Sequence, residues 1–132
     1  MDNRLKIVKS FRDLEVYTIA FESAMLIFEL TKKWPSEEKY SATDQIRRCS
    51  RSVCANIAEA WRKRRYPLHF ISKLSDSDSE AAETEVWLDF GFKCNYLSKE
   101  KYDLLKDKYD HIERMLTKMI KSPEKWCDNL KN

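Results

Sequence analysis

Glycine is nearly missing from this chain, with one in 132 residues, and only three prolines accompany it. One glycine cannot build a phosphate-cradling loop or a dinucleotide fingerprint. So few turn-forming residues also leave little room for the repeated tight turns of an all-β domain. Histidine is almost as scarce, at two residues. Lys108 stands three residues before His111 and Tyr66 three before His69, so the Glu-x-x-His ligands of a di-iron helix-bundle site are absent. Neither histidine sits in a recognisable nucleophile–base constellation. Cys49, Cys54, Cys94 and Cys127 show no Cys-x-x-Cys spacing and no nearby histidine that completes a zinc pattern. Asp76-x-Asp78-x-Glu80 lacks the glycine and closing glutamate of a calcium loop. No uncharged run is long enough to span a membrane, and the opening MDNRLKIVKSFRD has no signal-peptide core. The expectation is a cytoplasmic protein with free thiols, no catalytic centre, no metal, no cofactor and no membrane association.

What is abundant is charge and helix-forming residues. Charged side chains make up 36% of the chain, and Ala, Leu, Glu, Lys and Arg dominate as in long helices. The length suits one domain over residues 1–132 with a substantial core. Breaks at Trp34-Pro35, Tyr66-Pro67 and Pro123, with Ser41-x-x-Asp44 and Ser98 as caps, predict four helices over about 13–33, 43–65, 67–96 and 99–121. In the fourth, Tyr102, Leu105, Tyr109, Ile112, Leu116 and Met119 recur at alternating spacings of three and four. Ile46, Cys49, Val53, Ile57 and Ala60 make a similar stripe in the second. One apolar stripe per helix and short connections predict an all-α fold, an antiparallel up-down-up-down four-helix bundle.

The first helix carries two stripes. Leu14, Tyr17, Phe21, Met25 and Phe28 form one, and Val16, Ile19, Leu26, Ile27 and Leu30 the other, with Glu15, Glu22 and Glu29 between them. A surface helix needs one apolar face, so the second stripe is expected at a homo-oligomer interface. A helix sunk deep in its own bundle is the alternative.

Net charge is only +3, yet it is unevenly spread. Residues 47–65 hold Arg47, Arg48, Arg51, Arg62, Lys63, Arg64 and Arg65 against Glu59 alone. Residues 76–89 hold Asp76, Asp78, Glu80, Glu83, Glu85 and Asp89 with no cation. Five arginines share the side of the second helix opposite its apolar stripe, in two groups about 16 Å apart at 1.5 Å per residue. Arginine forks readily onto phosphate. Arg47, Arg48 and Arg51 have an internal alternative in the acidic run of the third helix. The tail Arg62-Lys63-Arg64-Arg65 points around most of the helix, more than one acidic face can neutralise, and Trp61 and Tyr66 beside it offer stacking surfaces. These seven cations are the candidate nucleic-acid contacts, for RNA or DNA, with the tail foremost. Asn56 and Glu59, three residues apart, are expected to bond a neighbouring helix and fix its register.

FRDLEVY at Phe11–Tyr17, QIRRCSRSVCANIAEAW at Gln45–Trp61 and the spacing Phe70, Leu74, Glu83 resemble a family of proteins. It is the four-helix-bundle family encoded within intervening sequences of bacterial large-subunit ribosomal RNA genes. The resemblance covers about residues 10–126, and Q-I-R-R-x-x-x-S-V-x-x-N-I-A-E is its most specific part. The accessory variability protein of diversity-generating retroelements is related, a homopentameric barrel that binds nucleic acid and a reverse transcriptase. The resemblance thus implies an antiparallel four-helix bundle in a pentamer-like ring, with nucleic acid and a protein such as a reverse transcriptase as partners. Phe11, Asp13 and Leu14 match the family's opening motif, and Gln45, Arg47, Arg48, Ser52, Asn56 and Glu59 its central one.

Overall fold

The structure, a computed structural model, describes residues 7–127. Among these the chain forms four α-helices, α1 (Glu15–Thr31), α2 (Ala42–Arg62), α3 (Pro67–Lys93) and α4 (Lys99–Lys121), and no strand. Short 3-10 turns at Phe11–Asp13, Ser36–Glu38 and Pro123–Lys125 punctuate them. No helix of the described residues is long and apolar enough to cross a membrane.

Where the boundaries differ from expectation, local chemistry explains it. The Ser10 hydroxyl accepts from Arg12 N and the Asp13 carboxylate from Lys9 N and Ser10 N, a capping box that closes the 3-10 turn Phe11–Asp13. Extended Leu14 then separates that turn from α1, which begins at Glu15 rather than near residue 13. The expected Ser41–Asp44 capping box does not form; Glu38 takes its place, accepting from the Ser41 hydroxyl at 2.6 Å and from Ala42 N. α2 stops at Arg62, three residues early, because Pro67 forces Tyr66 into an extended backbone and Lys63–Arg65 turn to reach it. α3 stops at Lys93 because Asn95 takes a left-handed φ of 66°, turning the Tyr96 and Leu97 N–H groups back to the Gly91 carbonyl. Ser98 caps α4 by accepting from Lys101 N.

Each helix packs on its neighbours in sequence, and α1 closes the cycle against α4. The most extensive contact joins α2 to α3, where small side chains let the backbones approach. Ser77 donates to the Val53 carbonyl at 2.8 Å, and Thr84 bonds both the Glu80 carbonyl and the Cys49 sulfur. α3 buries Phe70, Leu74, Ser77, Ala81, Thr84, Leu88 and Gly91, spaced four and three residues apart. The stripes expected on α2 and α4 are buried, apart from half-buried Tyr102. Cys49 and Cys54 lie inside, and burial pushes both thiols up to about 11.

The two stripes of α1 are divided differently from the sequence reading. Val16 and Ile27, expected at an oligomer interface, are buried at 3% and 1% exposure, and Ile19, Leu26 and Leu30 are half-buried against the same core. In the other stripe Leu14 is buried, Tyr17 and Phe28 are half-covered, and only Phe21 and Met25 are exposed. A helical wheel shows that two apolar faces exist; which one the bundle covers depends on how α1 is rotated against α2 and α4.

Candidate nucleic-acid interface

The chain leaves α2 through a turn made of its own cations. Arg64 folds back so that its guanidinium lies 3.6 Å from the centre of the Trp61 ring and its Nε donates to the Trp61 carbonyl. This covers a Trp61 face, and the indole is otherwise buried, so Trp61 is a base for Arg64 and not the stacking surface expected from the sequence. Tyr66 remains half-exposed, its ring 5.4 Å from that of His69.

Opposite this turn the Ser10 capping box holds the N-terminal segment across the end of α2. Between them lies a concavity of about 400 Å³, lined by Lys9, Ser10, Phe11 and Arg12 on one side and Trp61, Arg62, Arg64, Arg65 and Tyr66 on the other. Among the described residues no carboxylate lines it. Arg12 rests on the Phe11 ring at 4.5 Å. Reading the second helix alone found Arg62, Arg64 and Arg65 but missed Lys9 and Arg12. Fifty residues separate the groups in sequence, and FRD in the opening motif gave the only hint. Lys63 is exposed on the same turn but outside the concavity.

The upstream arginines lie outside this concavity. Arg47 turns toward α1, where its Nε donates to the Thr31 hydroxyl at 2.9 Å and its guanidinium also reaches the Phe28 carbonyl. Arg48 pairs with Asp44 one turn earlier on its own helix at 3.3 Å. Arg51 is exposed beside the Phe28 ring at 5.7 Å, next to Ala55 and Ala58. The acidic run of α3 therefore does not serve these arginines, as the internal alternative had it. Its Glu85 and Asp89 face α4 instead. Lys106 reaches Glu85 and Asp89, and Lys73 reaches Glu59 of α2 at 3.0 Å. Glu59 thus fixes helix register as expected, whereas Asn56 donates to Ser52 within its own helix.

The acidic side is strongly anionic. Burial, reinforced by a hydrogen bond to Glu85 and the charges of Glu85, Asp78 and Asp110, pushes the Glu113 carboxyl up to about 8. Burial and then neighbouring carboxylates also raise Asp78 and Glu80. The molecule therefore carries a basic cluster where α2 ends and an acidic run along α3. No group of three or more His, Cys, Asp and Glu among the described residues is placed to hold a metal ion.

The sequence pattern of the 23S rRNA-intervening sequence protein family matches residues 12–118. A crystal structure of a protein of unknown function from the S23 ribosomal protein family, from Bacteroides thetaiotaomicron, is similar to this fold, with a TM-score of 0.73 at 33% identity. The similarity covers 80% of this chain and 98% of that one. No curated protein matches the chain.

Proposed function

The chain belongs to the 23S rRNA-intervening sequence protein family, and from that premise we propose that it is a non-enzymatic, cytoplasmic adaptor binding nucleic acid, RNA or a nucleoprotein, through contacts to the phosphate backbone. The observation that carries this reading is the concavity in which Lys9 and Arg12 join Arg62 and Arg65, with no carboxylate among its described lining residues. Side chains that pair within a protein are normally found beside their counter-charges. Here Lys9, Arg12, Arg62 and Arg65 have none among the described residues that line the concavity with them. Lys63, Arg48 and Arg51, all exposed, add to the basic surface, while Arg47 serves the fold. Such contacts attract and position without reading sequence.

The same reading includes an up-down-up-down bundle assembled into a homo-oligomeric, pentamer-like ring. Residue 53 meets 77 and 49 meets 84 across α2 and α3, and residue 89 meets 102 across α3 and α4, as antiparallel neighbours do. Self-association would use the Tyr17, Phe21 and Met25 face of α1, which with Ala55 and Ala58 of α2 borders an open apolar groove. A protein partner such as a reverse transcriptase enters only through the family resemblance.

The test is fluorescence anisotropy with labelled structured RNA, single-stranded DNA and duplex DNA across a salt series. The wild type is compared with a variant carrying Arg62, Lys63, Arg64 and Arg65 changed to Gln, both checked for the same oligomeric mass. Counterion release makes affinity fall steeply with salt in the wild type and less steeply in the variant. No binding at low salt by an intact oligomer refutes the reading and leaves a protein-interaction module whose charges serve assembly.

A further inference from the structure

We propose that the turn joining α2 to α3 holds an unpaired nucleobase against the Tyr66 ring, an inference that rests on the nucleic-acid reading above and adds to it a preference for looped or single-stranded regions. Contacts to phosphates carry no information about the bases. An exposed ring does, because a base stacks on it only after leaving its own helix. Tyr66 is such a ring, 52% exposed, and Leu68 beyond it is 79% exposed. His69 is exposed with them. Three side chains with apolar faces thus meet solvent within four positions, at the point where the chain reverses.

The turn presents the ring on a fixed backbone. Pro67 holds Tyr66 extended, at φ −121° and ψ 94°, as the N-cap residue of α3. The Tyr66 N–H donates to the Lys63 carbonyl at 2.9 Å, and the Tyr66 carbonyl accepts from Phe70 N at 3.0 Å. The His69 ring packs against the tyrosine, with 5.4 Å between centres and a tilt of 49°. A ring held in this way loses little freedom when a base lands on it. The charge beside it selects the ligand. Arg62, Lys63 and Arg65 are exposed within four positions of Tyr66, so a flat face arriving here is favoured when it brings an anion. A nucleotide joins a stackable face to a phosphate in every unit of its chain. A peptide needs an aromatic and an acidic residue to coincide.

The experiment uses the full chain and one RNA hairpin in two forms, with its loop intact and with abasic residues in place of the loop nucleotides. Both forms carry the same phosphates, so their difference in affinity at one moderate salt reads the bases alone. Wild type should bind the intact loop about tenfold tighter, as stacking of one base on an aromatic ring provides. Tyr66→Ala should bind both forms as wild type binds the abasic one. Tyr66→Phe should keep the preference, and circular dichroism and mass should be unchanged in both variants. Lys63→Gln should weaken the two forms alike, as loss of a phosphate contact does. Equal binding of the two forms by wild type, or a preference that survives Tyr66→Ala, overturns base stacking at this turn and leaves the nucleic-acid reading standing. Absence of any binding at low salt removes both readings together.

Discussion

Arg47 donates from Nε to the Thr31 hydroxyl at 2.9 Å, and its guanidinium lies 4.7 Å from the centre of the Phe28 ring. An arginine within the basic stretch of α2 is thereby a clamp on the last turn of α1. Arg47→Gln should lower stability by about 1–3 kcal/mol, since it unpairs half-buried groups, and should leave the salt dependence of nucleic-acid binding unchanged. Urea denaturation and anisotropy on the same sample check this. A stable variant with weakened binding would place Arg47 on the nucleic-acid surface instead.

Arg12 is predicted to behave in the opposite way. It lies on Phe11 and lines the concavity, so Arg12→Gln should leave the unfolding free energy in urea within about 0.5 kcal/mol of wild type, as surface changes do. The slope of log affinity against log salt should fall by about 0.7–0.9, the loss of one phosphate contact. An unchanged slope would remove the N-terminal segment from the site.

The Glu113 carboxyl makes stability depend on pH. The folded protein holds this proton up to about 8, whereas the ordinary value is 4.5. Between those values the folded state binds the more protons, so this group's contribution falls as pH rises through the window. Glu113→Gln retains a donor toward Glu85 and cannot ionise. It should be more stable than wild type at pH 8, by on the order of 1 kcal/mol because a half-buried carboxyl keeps part of its hydration, and no more stable at pH 5. Thermal melts at the two pH values decide; equal differences at both would dissociate Glu113 from the effect.

The Trp34 indole packs directly against Gly91. A Cβ added there would stand 2.8 Å from Trp34 Cζ2, 3.0 Å from Trp34 Cη2 and 3.2 Å from Leu97 Cδ1. The ring is rigid and buried between α3 and Tyr96. Gly91→Ala should destabilise by about 1–3 kcal/mol through overpacking, despite alanine's better helix propensity. A gain in melting temperature would show that Trp34 shifts freely.

The corrected faces of α1 make separable predictions. Phe21→Glu with Met25→Glu alters exposed positions, and should lower the mass measured by light scattering while preserving helicity. Ile27→Glu places an unpaired charge in the core and should unfold the chain. Undiminished mass in the double variant would exclude that face from self-association.

The sequence by itself determined the class and composition of the fold. Scarce glycine, proline-marked breaks and single stripes on α2 and α4 require helices with one buried face, because the 3.6-residue period is a local property of the chain. The tail Arg62–Arg65 was legible for a similar reason, since four successive cations exceed what one helix end needs. Three things were decided only by tertiary structure. Which stripe of α1 is buried follows from its rotation against α2 and α4, and the outcome moved Val16 and Ile27 into the core and exposed Phe21 and Met25. Which arginines stay available depends on what lies across from them: Arg47 met the end of α1, where two acceptors claimed it. The completion of the basic site depended on a capping box that folds Lys9 and Arg12 across the end of α2. A charge pattern records how many cations a segment carries, whereas their convergence on one point is set by the distances that packing imposes between segments remote in sequence.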